Sequence, residues 1–100
     1  GISENLARVL PKNLGAEIKL NQLDFENKKS IFNWFYQKCK LSQKEMLKTF
    51  NCGIGFCIII KSKNLNKVKK YFTKEFKPYV IGKISKDKNK VSFNGKVNWL

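Results

Sequence analysis

Apolar and polar positions divide this chain into short segments whose period switches between helix and strand. Leu6, Val9 and Leu10 put one apolar face on Gly1–Pro11, with Ser3 as N-cap, Glu4 suited to the positive end of the helix dipole and Pro11 as the stop. Leu14-Gly15 turns the chain, and Ala16–Leu20 alternates apolar and polar, the pattern of a short half-exposed strand. After a loop over Asn21–Asn27, Ile31, Trp34, Phe35 and Cys39 recur at i, i+3, i+4 and i+8 and predict an amphipathic helix over Ser30–Cys39. Its aromatic residues could be imagined as a base-stacking platform, but at helical spacing they read as core. Ser42 and Glu45 form an S-x-x-E capping box, with Leu41 and Met46 as its hydrophobic staple, and fix the start of a brief helix that Asn51 and Gly53 end.

Ile54–Ile60 is the most apolar run in the chain and is expected to be a central strand covered on both faces. Lys61–Asn64 is a polar loop. Asn64–Phe76 predicts a further helix with Leu65, Val68, Phe72 and Phe76 inward and Lys67, Lys69, Lys70 and Lys74 on solvated faces. Pro78 breaks it. Tyr79–Ile84 reads as a strand in which Gly82 implies a bulge or a close neighbour. Lys86–Asn89 turns the chain, and Lys90–Phe93 returns as the edge strand of a hairpin, its lysines discouraging edge-to-edge pairing. Asn94-Gly95 makes another turn before the tail Asn98-Trp99-Leu100.

The order helix, strand, helix, helix, strand, helix, strand, strand is that of a mixed α/β (α+β) domain, with helices on a partly antiparallel sheet. There is no internal repeat and no linker-like segment. One hundred residues make one small domain or a piece of one. The few short strands leave an edge exposed, and the chain opens on glycine. Residues 1–100 are therefore expected to form a single partial domain, with part of the sheet lying outside it.

Charge adds a constraint. The formal net charge is +14 with no histidine. Such a balance suits nucleic acid, anionic lipid or phosphorylated ligands. The basic residues are nearly all lysine, however, and Arg8 is the single arginine. Arginine is the residue that makes bidentate phosphate and base contacts, so the lysines read as solvated faces, and a basic nucleic-acid-binding module is kept as the alternative. Cys39, Cys52 and Cys57 are odd in number, show no C-x-x-C spacing and have no histidine partners, which argues against zinc and for buried, reduced thiols. No apolar run approaches the roughly 20 residues of a membrane span.

Two stretches hold the candidate chemistry. In Thr49–Phe56 a helix must stop, the backbone must turn and a strand must start. Gly53 and Gly55 allow positive φ and close approach, and Asn51 offers a carboxamide. The turn reads either as a helix C-cap feeding the core or as a small-residue bend that lets a substrate reach backbone N–H groups. Gly1, leading into a helix, reads either as part of a plain capped terminus or as a phosphate site.

Together these stretches resemble a known family. Gly1-Ile2-Ser3-Glu4-Asn5-Leu6-Ala7-Arg8-Val9-Leu10-Pro11 and Glu45-Met46-Leu47-Lys48-Thr49-Phe50-Asn51-Cys52-Gly53-Ile54-Gly55 are similar to segments of the C-terminal domain of aminoimidazole ribonucleotide synthetases, the phosphoribosylformylglycinamidine cyclo-ligases. Leu14–Ile18, Ile31–Trp34 and Val80–Gly82 follow in the expected order, so the resemblance runs from Gly1 to about Phe93. Ala7 stands where the family often has proline, and Cys52 and Phe56 stand near positions often filled by methionine. Residues 94–100 match nothing.

The resemblance implies a three-layer α/β/α C-terminal domain, of which this chain is the second half, with the N-terminal ATP-binding domain absent. It implies ring closure of formylglycinamidine ribonucleotide in purine biosynthesis, with ATP and Mg²⁺ held mainly by the N-terminal domain. It further implies a cytoplasmic homodimer that binds neither nucleic acid nor membrane, and a fragment inactive alone. Nothing in these residues looks like a nucleophile–base pair, in keeping with chemistry that needs phosphate positioning and charge neutralisation instead. The expected substrate-binding residues are Gly1, Ser3, Asn5 and Arg8 at the helix start, with Asn51 and Gly53 beside them. Arg8 has an ordinary alternative, an i,i+4 pair with Glu4. A same-fold relative of the selenophosphate synthetase or thiamine-phosphate kinase type is a third reading.

A gel shift separates the two main readings. Random duplex DNA at physiological salt is expected to show no tight, salt-sensitive complex with this chain; a complex that weakens steeply with added salt would favour the nucleic-acid module.

Overall fold

The computed structural model describes residues 1–23, 31–86, 90–97 and 99. In chain order these give α1 (Ile2–Val9), β1 (Gly15–Lys19), a 3-10 turn at Leu20–Gln22, α2 (Ile31–Lys38), α3 (Gln43–Thr49), a 3-10 turn at Ser62–Asn64 leading into α4 (Leu65–Lys69), a 3-10 turn at Lys74–Phe76, β2 (Gly82–Ser85) and β3 (Val91–Asn94). The mixed α/β class expected from the segment order is what forms, with a mixed sheet. The expected starts of the second helix at Ser30 and of the loop's later part at Asp24–Asn27 lie outside the described residues, as do most of the turn at Lys86–Asn89 and the tail positions Asn98 and Leu100.

The sheet is ordered β2-β1-β3. β1 pairs antiparallel with β2, Ala16 opposite Ile84, and parallel with β3, Ala16 opposite Val91. The expected β2–β3 hairpin does not form, because the first strand of the chain lies between them. Alternation along β1 gives the sheet one buried face. Ala16 and Ile18 are buried on one face, while Glu17 on the other meets Lys83 at 3.5 Å. Gly82 sits where a close neighbour was expected: a Cβ there would run into the Glu17 carbonyl on β1. Ala16 and Ile18 join Ile2 and Leu6 of α1, Leu10 just after it, and Met46 and Leu47 of α3 in one core. The described elements thus supply the sheet and a helical layer on its buried face, consistent with part of a three-layer α/β/α domain.

Several segments depart from the expected burial. α1 is capped by Gly1, not Ser3, whose hydroxyl instead donates to the Leu47 carbonyl of α3 at 3.5 Å. α2 has the expected helical period but is rotated: Ile31, Trp34 and Cys39 are exposed, and Phe32, Asn33, Phe35 and Tyr36 turn inward. Ring contacts set that rotation. Phe50 lies 6.0 Å from Phe32 and 5.3 Å from Phe35, and Tyr36 stacks on Trp99 at 5.1 Å. Aromatic pairs of this kind add to simple area burial.

The larger correction is Ile54–Ile60. It is not a strand among the described residues, and Phe56 is 86% exposed with Ile58 at 46% and Ile59 at 49%. Apolar content signals a wish for burial but does not supply hydrogen-bonding neighbours. Here no described strand pairs with it. The helix expected over Asn64–Phe76 is likewise confined to α4, with Thr73 extended and Phe72 and Phe76 exposed, because no sheet lies beneath it to bury its face. The strand expected from Tyr79 begins at Gly82, although Ile81 prolongs the ladder by accepting from the Lys19 N–H at 2.7 Å.

The start of α3 forms as predicted. Glu45 N–H donates to Ser42 Oγ at 3.2 Å, and Ser42 N–H donates to Glu45 Oε2 at 2.7 Å. The Ser42 N–H first, then the Ser42 hydroxyl, holds the Glu45 carboxyl below its ordinary value of 4.5. A lowered carboxylate pKa contributes stability that is complete above pH 4.5 and is lost as pH falls through the lowered value. Ser42→Ala is expected to cost about 1 kcal/mol in a denaturant melt, with the Glu45 titration followed by NMR returning towards the ordinary range.

Candidate functional site

α3 ends in a tight bend. Phe50 N–H closes the last helical turn on the Met46 carbonyl at 2.9 Å, and Ile54 N–H returns to the Asn51 carbonyl at 3.1 Å. Between them Cys52 has φ 52° and Gly53 φ 88°, the pattern of a primed type I turn. Glycine tolerates this; cysteine does so at a cost. Two contacts hold it there. Asn51 Oδ1 accepts the Gly53 N–H at 3.0 Å, and Cys52 Sγ donates to the Met46 carbonyl at 3.6 Å. The Cys52 side chain is buried, and that burial pushes its thiol up to about 11. The turn is therefore both a helix stop and a rigid platform.

α1 lies across this platform, and a hollow of about 260 Å³ opens between them. Ile2, Asn5, Leu6 and Val9 line it from α1, and Asn51, Ile54, Gly55, Phe56, Cys57 and Ile59 from the segment after α3. The walls are mostly apolar. The polar exceptions are Asn5 and Asn51, one from each side. Asn51 Oδ1 accepts the Gly53 N–H, which leaves its NH₂ as the donor end of that side chain. A mostly apolar hollow with a few polar residues has the character of a small-molecule site.

The other expected residues fall around the hollow. Helical geometry at about 100° per residue puts Ser3 and Arg8 each about 110° from the middle of the lining face, on opposite sides. Ser3 faces α3. Arg8 is exposed and, among the described residues, makes no ion pair with Glu4. Gly1 is half-buried, and a Cβ on it would strike the Leu47 and Lys48 carbonyls, so its lack of a side chain serves the approach of α1 to α3. Gly53 shapes the turn without lining the hollow. Sequence reasoning missed Phe56, Cys57 and Ile59 as lining, because it placed them in a buried strand. Cys57 and Cys39 are exposed, against the expectation of buried thiols; only Cys52 fulfils it.

Mg²⁺ is usually held through one or two carboxylates with phosphates and water, and no carboxylate lines this hollow. Among the described residues no group of His, Cys, Asp and Glu side chains is placed to hold a metal, and no helix is long and apolar enough to cross a membrane.

Comparison with known proteins adds the lineage. The family described as AIR synthase related protein, C-terminal domain, matches residues 1–94. A phosphoribosylformylglycinamidine cyclo-ligase of Bacillus cytotoxicus is 36% identical over 99 residues, which is 98% of this chain and 27% of that relative. The chain thus spans about a quarter of the length of the curated relative it matches. No solved structure matches it.

The turn predicts graded thiol reactivity. Alkylation at neutral pH, read by mass spectrometry, is expected to modify Cys39 and Cys57 in the folded protein and to reach Cys52 only on unfolding. A raised thiol pKa keeps Cys52 neutral up to about 11, so its contribution to stability is lost as pH rises beyond the ordinary 9.0. The fall in stability over that range is expected to be shallower in Cys52→Ala.

Proposed function

The chain belongs to the family of AIR synthase related C-terminal domains, and from that premise we propose that it is part of an ATP-dependent cyclo-ligase that closes the imidazole ring of aminoimidazole ribonucleotide from formylglycinamidine ribonucleotide. The observation that carries the reading is the shared hollow: the opening helix and the Asn51 turn, which bear the family resemblance, meet around one space with an asparagine from each among its lining residues. In this reading Asn5 and Asn51 orient the substrate, Gly53 keeps the turn closed, and Gly1 and Ser3 seat α1 on α3. Arg8 reaches round from the exposed side towards the substrate phosphate.

ATP supplies the activation of the formyl oxygen. The hollow offers no carboxylates for its Mg²⁺, so we assign the nucleotide and metal to the N-terminal domain of a longer, cytoplasmic, homodimeric enzyme. This chain's residues bind and orient the substrate and exclude water from one wall of the cleft; alone it is inactive. The remainder of the same domain would cover Ile54–Ile60 and complete the sheet, which accounts for the exposure of so apolar a run.

Substrate titration and steady-state kinetics of the full-length enzyme test the assignment. Removing one hydrogen bond to a polar substrate group costs about 1–3 kcal/mol. Asn51→Ala is therefore expected to lower kcat/KM roughly ten- to hundredfold, and Arg8→Ala to weaken substrate affinity. Unchanged affinity and turnover in both variants would remove these residues from the site.

A further inference from the structure

We infer that Trp99 is a positioning residue for the Asn51 turn, acting through α2. This rests on the proposed role of the hollow for its functional meaning, but its structural part stands by itself. Trp99 and Val97 are buried although they follow the last strand. Trp99 stacks on Tyr36 with ring planes 11° apart, and its carbonyl accepts from Gln37 Nε2 at 3.3 Å. Val97 N–H donates to Gln43 Oε1 at 3.0 Å, which ties the same tail to the first turn of α3.

The contact continues through α2. Phe32 and Phe35 lie on the helix carrying Tyr36 and Gln37, and both pack on Phe50. Phe50 is the C-cap of α3 and immediately precedes Asn51. Tail, α2 and turn are therefore in series: one stack sets α2, and α2 sets the residue from which the turn departs. Cys52 holds an unfavourable φ there, and a strained backbone persists only where its surroundings over-determine it. Loosening α2 removes one of those supports.

Selectively labelled NMR of the full-length enzyme, followed by titration with ribose 5-phosphate, tests this with Trp99→Ala, Trp99→Phe and Gln37→Ala. The Cα and amide resonances of Cys52 and Gly53 report the positive-φ turn. Trp99→Ala is expected to shift them while leaving β1 resonances in place; Trp99→Phe, which keeps a stacking ring, is expected to restore them. Should Trp99→Ala fail to fold, Gln37→Ala, at an exposed position, gives the same shifts in smaller measure. Turn resonances unmoved by Trp99→Ala or, where it does not fold, by Gln37→Ala, would overturn the inference, as would equal movement in the phenylalanine variant. Weaker binding of the sugar phosphate, several-fold in Trp99→Ala and recovered in Trp99→Phe, supports the functional link. Resonances that shift as expected in a chain that does not bind the probe would sustain the positioning role and count against the proposed hollow.

Discussion

The last turn of α3 is the constraint on which the rest of the structure hangs. A helix end leaves its final carbonyls without intrahelical partners, and here they are met from several directions. The Met46 carbonyl takes the Phe50 N–H and the Cys52 thiol, and the Leu47 carbonyl takes the Ser3 hydroxyl. Gly1 lies so close to the Leu47 and Lys48 carbonyls that no larger residue fits. One short helix end thereby fixes the start of α1, the direction of the chain beyond Thr49 and the width of the hollow between them. The α3 helix itself is too brief to be stable on propensity alone. Its capping box at one end and this convergence at the other define it.

This arrangement decides between readings that residue types leave open. Gly1 and Ser3 both take part in helix–helix packing, and the helix cap falls to Gly1 and not to Ser3. Asn5 and Asn51, unremarkable as residue types, become the polar features of a mostly apolar space. The distinction is one of direction. A side chain one position along a helix points about 100° away, so membership of the right segment is not membership of the right face.

The sequence made some features legible and hid others for physical reasons. The capping box was readable because its hydrogen bonds span three residues and need nothing distant. The turn after α3 was readable in part: Gly53 takes the expected positive φ, but its partner in the turn is Cys52, while Gly55 has neither a positive φ nor a close neighbour. The class of the fold followed from segment order. What failed were the features set by remote partners. The period of α2 marks a helix, but Phe50 and Trp99 choose its face. The apolar run Ile54–Ile60 marks a demand for burial, but pairing depends on which strands are free. The central place of β1 was hidden because its alternation describes one buried face equally well at the edge or the middle of a sheet.

The sheet order also bears on how the protein is made. The strand at the centre precedes both of its partners in the sequence, and its pairing residues Gly15 and Ala16 wait for Ser85 and Val91, about 70 to 75 positions downstream. Contacts this remote make folding slow, since loop closure comes before any gain from pairing. During synthesis the nascent chain can settle α3 by its local cap, but Ala16 and Ile18 stay without β2 and β3 until those segments have been made. A chaperone able to shield an unpaired strand would find its natural client in that interval.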